Sequence, residues 1–227
     1  MPRDIREQAL VGALVVGVVV GVMGGAAVIG AIANEPFSVF TKEPVEQFAP
    51  SKPYAGVLAH LTWFLWVIGG VAAVLASAVL HRVAAADRRI GFLLTSTLLT
   101  SALLADDFLL LHDHVLPHFG MPKGLPYLVY ALIFLTLLLR FRPQVAEGDV
   151  LLVLSAGAMW AISLGVDLLD TNLMQERFNL SGHALEDGAK LLGTALWTTF
   201  LVRASLRTIL DAGKSVGPGA AVSDRRT

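Results

Sequence analysis

The chain has 227 residues, 55% of them hydrophobic and 15% charged, with a net charge of −1 and a mean hydropathy of +0.68. Soluble domains carry about 25% charged residues, so this composition excludes an ordinary soluble domain, and the near-neutral charge gives no basis for nucleic-acid binding. The absence of cysteine excludes disulfides, thiolate metal sites and cysteine nucleophiles.

Six apolar segments follow one another, at 9–33, 57–80, 90–116, 125–141, 150–170 and 183–209. A span needs about 20 apolar residues, and the fourth segment is the shortest. The expected fold is an all-α, polytopic membrane helix bundle of six transmembrane helices. It forms one domain over 1–210, followed by a disordered Gly/Ser/Ala-rich tail over 211–227. The first segment follows Arg3 and Arg6 and ends near Ala31-Ile32-Ala33, in the manner of a signal peptide. Its apolar stretch exceeds the roughly 7–15 residues of a signal core, so an uncleaved anchor is expected.

Lysine and arginine set the orientation. Arg3, Arg6, Arg82, Arg88, Arg89, Arg140, Arg142, Arg203, Arg207, Lys214, Arg225 and Arg226 fall on one side, against Lys42, Lys52, Lys123 and Arg177 on the other. Positive loops stay inside, so both termini are expected in the cytoplasm, most simply in a plasma-membrane protein. The 34–56 connection, the 117–124 turn and the 171–182 connection then face outward.

Gly17, Gly21 and Gly25 place small residues on one face of the first helix, where helices can approach closely. Packing within the chain or a homodimer would both use this face. Trp63, Trp66, Tyr54, Tyr127 and Tyr130 read as interfacial anchors near the outer ends of the second and fourth helices.

The informative residues are ionisable groups inside apolar segments, which are costly there and usually face a bundle interior. The third segment carries Asp106, Asp107, His112, Asp113 and His114, then Pro117 and His118. On a regular helix Asp107 and His114, seven apart, share a face, whereas His112 points away from Asp107. The fifth segment places Ser163, Asp167 and Asp170 on one face. The sixth does the same with His183, Glu186, Asp187 and Lys190. At 1.5 Å per residue, Asp106 lies about 15 Å below Pro117 and Lys190 about 11 Å below His183, so the acids of the third helix are expected to meet Lys190. His60 adds a polar group near the outer end of the second helix, and His81 sits among arginines at the inner end.

Imidazole with carboxylate suits zinc, iron or manganese, so Asp107, His114, His183 and Glu186 are the expected ligands of a divalent metal with an open position for water. Asp107 and Glu186 are candidate acid/base groups, and Lys190 would steady an anionic transition state. Asp106, Asp167 and Asp187 are second choices. The residue types resemble those that small multi-span hydrolases of the alkaline ceramidase and adiponectin receptor group gather around zinc. The resemblance is confined to residue type: six spans are expected rather than seven, and the single His-xxx-His, His114 to His118, contains Pro117 and lies off the last helix. The expected function is a membrane-embedded metal-dependent hydrolase, working in the outer half of the bilayer on a lipid or small-molecule substrate. A proton or cation transporter, a haem protein ligated by two histidines, and a scaffold with a structural charge network are the alternatives. The inner halves of the second, fourth and sixth helices lack ionisable groups, which weighs against a through-pathway.

Overall fold

The computed structural model describes residues 5–41, 54–122, 124–147, 149–168 and 182–215, with the side chains of His183 and Ser215 outside that set. Asp170, the 171–181 connection, Pro44, Pro50, Pro53 and the tail beyond 215 lie outside the described residues. All elements among those described are helical. The long ones are α1 (Ile5–Ala33), α3 (Val57–Val83), α4 (Arg88–Leu109), α6 (Gly124–Arg140), α8 (Val150–Leu168) and α9 (Gly182–Ser215). Shorter helices are α2 (Ser38–Thr41), α5 (Leu116–His118) and α7 (Arg142–Glu147), and a π-helical turn spans Leu111–Val115. α9 continues past the domain boundary expected at 210.

α1, α3, α4 and α8 are long and apolar enough to cross a membrane; α6 is apolar but shorter. α1 is rich in Val and Gly, poor helix formers in water. Hydrocarbon changes that balance, because every backbone N–H and C=O must then be bonded within the segment. The exposed faces agree: Leu10, Leu14, Val20, Ile32, Phe64, Leu98, Leu132 and Leu139 all stand outward. α1 ends in a Schellman motif, with Asn34 at φ 55°, Glu35 N–H donating to Gly30 O at 2.8 Å and Asn34 N–H to Ala31 O. Asp87 caps α4 by accepting the Arg89 N–H at 2.8 Å.

α9 is the central post, packed chiefly on α3 and α8, with α4 beside α3. Trp197, Phe200, Leu201, Leu93, Leu99 and Leu152 are fully buried at the core. Hydroxyls fix register across it. Trp197 Nε1–H donates to Thr100 Oγ1 at 2.9 Å, and Thr198 Oγ1 donates to Leu65 O at 2.8 Å. Close approach of α9 to α8 needs a glycine at 193, where a Cβ would lie 2.6 Å from Trp160 Cδ1. Gly17, Gly21 and Gly25 differ: among the described residues nothing lies within 4 Å of a Cβ built there, so packing against those residues does not account for them.

Candidate functional site

At the end of the bundle remote from Ile5 and Ser215, α3, α4, α6, α8 and α9 enclose a cavity of about 430 Å³. Its floor is aromatic, made by Trp66, Phe134 and Trp160, with the Trp66 and Trp160 rings stacked at 5.4 Å. Gly157 makes room for Phe134, whose Cε1 would lie 2.7 Å from a Cβ at that position. The rim is ionisable: Asp106, Asp107, His112, Asp167, Glu186 and Lys190, with Tyr127 and Tyr130.

Lys190 Nζ donates to Asp107 Oδ1 at 2.8 Å, the meeting that the matched depths of the two helices predict. Asp107 is nearly buried, while a quarter of the Lys190 side chain remains exposed. The pair is thus desolvated on one side and open to the cavity on the other. Tyr127 donates its hydroxyl to Asp167 Oδ2 at 2.7 Å, tying α6 to α8. Ser163, one turn before Asp167, also lines the cavity.

The third apolar segment does not run as one regular helix to residue 116. α4 stops at Leu109, and Leu110 adopts φ 51°, donating its N–H to Asp106 O. A left-handed conformation costs a non-glycine residue about 1–2 kcal/mol, so neighbouring contacts must hold it. Asp106 supplies two of them: its Oδ1 accepts the His112 N–H at 3.0 Å, and its Oδ2 meets His112 Nδ1 at 2.9 Å. Asp113 Oδ2 meets Nε2 at 3.0 Å. A ring with carboxylate acceptors on both nitrogens is satisfied only as the imidazolium, which has no lone pair left for a metal. The expectation that His112 points away from Asp107 leaves its partner open, and the αL break and the π turn bring it onto the neighbouring Asp106.

The same break leaves His114 exposed and away from the cavity wall, so Asp107 and His114 do not share a face. His118 is exposed on α5. His183 begins α9, one turn before Glu186, and its side chain lies outside the described residues. Among the described residues no group of three or more His, Asp or Glu side chains is arranged to hold a metal ion. Of the expected ligands, Asp107 and Glu186 reach the cavity; of the second choices, Asp106 and Asp167 do. His60 stays apart: its Nδ1–H donates to Gly56 O at 2.8 Å and its ring packs edge-on against Trp63.

Trp66, Tyr127 and Tyr130, read from sequence as interfacial anchors, are cavity residues instead. Trp160 and Phe134 carried no signal beyond being aromatic in an apolar run. Thr97 and Thr100 donate to Leu93 O and Ser96 O within their own helix.

A family described as "Domain of unknown function (DUF8692)" matches residues 9–204. The chain belongs to this family. The matched region includes every rim and floor residue of the cavity. No curated protein and no solved structure matches the chain.

Proposed function

We propose that this protein is a six-span membrane protein of the cell membrane, both termini cytoplasmic, and that its cavity is an outward-facing hydrolytic site for an amphiphilic substrate. The span count is supported by α6, whose 17 residues reach about 26 Å, and by the apolar stretch of α9 between Lys190 and Arg203. α6 can span with Arg140 reaching to the interface, and α9 can span with Lys190 paired to Asp107 inside the bundle. Orientation rests on the lysine and arginine bias, which puts the cavity in the outer half.

One observation carries the reading: an ionisable rim stands over an aromatic floor, and fully buried Leu99, Trp197 and Phe200 form the core into which that floor merges. Such a pocket can hold an apolar body and present its polar end to acid–base groups. A dead-end cavity also fits an enzyme better than a channel. In this reading Glu186 is the general base that activates water, and Lys190, oriented by Asp107, stabilises the developing oxyanion. A metal-loaded form is the second version: Asp107 and Glu186 line one cavity, and His183 precedes Glu186 by a turn. Zinc, iron or manganese would suit that donor set and would supply the activated water.

The test is product analysis by mass spectrometry after reconstitution with mixed lipid and ester substrates, with metal content measured on the same sample. Glu186→Gln should lower turnover about 10²-fold or more. Stoichiometric metal lost in His183→Ala selects the metal-loaded version. Absence of turnover for every ester and lipid class, with the protein folded, would end the hydrolase reading.

A further inference from the structure

The cavity has a depth as well as a volume, and the depth follows from the order of its lining along each helix. On α4 the wall descends from Asp107 through Leu103 to Leu99, about 12 Å at helical rise. On α6 it descends from Tyr127 through Ala131 to Phe134, about 10 Å. On α8 it descends from Asp167 through Leu164 to Gly157, about 15 Å. All three walls pass from polar to apolar in the same direction. The space between them is a shaft about 10–15 Å deep with its polar groups at one end. Its volume of about 430 Å³ lies towards the small end of sites that take a single small ligand, about 300–1,000 Å³. Spread over that depth, it is room for one chain rather than two.

The apolar end of the shaft is closed by rings that brace one another. Phe134 stands 5.6 Å from Trp160 and 5.9 Å from Trp197, centroid to centroid, and Trp160 stands 5.6 Å from Trp197. Trp197 is fully buried behind them, so Phe134 and Trp160 have no space into which to retreat. An alkyl floor would yield to a longer ligand by changing rotamers, whereas a braced ring cluster yields only by giving up packing. Gly157 sets how far back Phe134 stands, since a Cβ there would lie 2.7 Å from its Cε1 and 3.1 Å from its Cζ. An extended chain advances about 1.2 Å per bond, so the depth of the shaft corresponds to about eight to twelve carbons.

We infer that the cavity is an acyl-chain site of fixed depth, which takes one chain with its carbonyl end at the Lys190–Asp107 rim and stops it against Phe134 and Trp160 after about eight to twelve carbons. This deepens the hydrolase reading by naming the substrate class, and it rests on that reading for turnover alone, not for binding. The chain can belong to a free single-chain ester or to one arm of a two-chain lipid.

The experiment uses the full chain in dioleoyl phosphatidylcholine nanodiscs. The probes are methyl esters of ω-bromo fatty acids with six, eight, ten, twelve and sixteen carbons. Bromine quenches tryptophan on contact, and the quenching relieved by excess unbrominated ester of the same length reports the site. After correction for partition into lipid, affinity should hold up to about ten carbons and fall at least about fivefold by sixteen, as overpacking against a rigid floor requires. Phe134→Ala should move the limit outward by about two to four carbons. If that variant does not fold, Phe134→Leu should move it the same way by less. Gly157→Ala, which drives the Phe134 ring towards the shaft, should move the limit inward. Displacement of the bromo ester by didecanoyl phosphatidylcholine assigns the chain to a two-chain lipid, and displacement by single-chain esters alone assigns it to a free ester; either supports the inference. No saturable quenching at any length, affinity indifferent to length up to sixteen carbons, or a limit unmoved in folded Phe134→Ala would overturn it. Hydrolysis separates the two readings. A length limit in binding with no ester cleaved keeps the acyl site and ends the hydrolase reading. Cleavage at equal rates across all lengths keeps the hydrolase and removes the depth stop.

Discussion

The two ends of this bundle use the same ingredients, carboxylates against lysine, arginine and histidine, to opposite effect. At the end holding Ile5 and Ser215, Asp149 is wholly buried and clamped by Arg203 Nε at 2.7 Å and Arg207 Nη2 at 3.0 Å. Arg203 also reaches Glu7 at 2.8 Å, and Gln8, buried beside them, accepts the Leu151 N–H at 3.0 Å. This end joins α1, α8 and α9 and leaves no space between its charges. At the other end, the charged groups ring a cavity of about 430 Å³. Two arginines on one acid make a clamp, whereas acids and a lysine ranged around a volume leave room for a ligand. Placement within the same helices separates the two roles, since α8 and α9 contribute to both.

The comparison is broken most directly by cutting the clamp. Removing one partner of a buried ion pair typically costs about 3–5 kcal/mol, because the other charge is left uncompensated. Asp149→Ala should approach the lower end of that range, about 3 kcal/mol, since both arginines retain some contact with solvent. Denaturant unfolding in detergent, followed by circular dichroism, measures it. Ligand binding at the distant cavity should change little in the molecules that remain folded. A loss smaller than that of Asp107→Asn would show that the two ends are not the distinct devices argued above.

The second test sharpens the contrast from the cavity side. A double-mutant cycle of Asp107→Asn and Lys190→Met should give a stability coupling of about 1 kcal/mol, below that of the clamp, because Lys190 faces open space. Turnover should fall much further than stability in Lys190→Met. A coupling above 3 kcal/mol, with turnover intact, would make this pair a second clamp and Lys190 a structural residue.

How much of this was legible in the sequence depends on how regular the helices are. α9 is continuous, so the i, i+3, i+4, i+7 spacing of its charges correctly placed Glu186 and Lys190 together, and helical rise matched Lys190 to the acids of α4. α4 is not continuous, and there the same reasoning put His114 on the face of Asp107 and did not foresee the contact of His112 with Asp106. The break falls at Leu110, with no glycine to announce it, while Pro117 advertised an interruption seven residues too late. Contacts between the Asp106 side chain and His112, six residues on, hold Leu110 in its left-handed conformation. The aromatic floor was hidden for another reason. Trp66, Tyr127 and Tyr130 lie in apolar helices where lipid-facing and cavity-facing positions have the same composition, so periodicity could not separate an anchor from a pocket wall.

The smallest effect concerns the loop between α3 and α4, beside the clamp. Asp87 caps α4, and its carboxylate also meets Arg89 Nη2 at 2.8 Å. The hydrogen-bonded guanidinium of Arg89 outweighs the cost of partial burial and holds the Asp87 carboxyl below its ordinary value. A folded-state pKa lower than the unfolded one stabilises the fold above the unfolded value, about 4, and that contribution is lost as pH falls through the folded value. Asp87→Asn keeps an oxygen for the Arg89 N–H but removes the charge. The variant should be less stable than the parent by about 0.5 kcal/mol at pH 7, as expected for a partly exposed ion pair. That gap should close below about pH 4 and narrow with added salt. A gap that stayed constant with pH would assign Asp87's contribution to its cap geometry alone, leaving Asp149 as the acid through which charge stabilises this end.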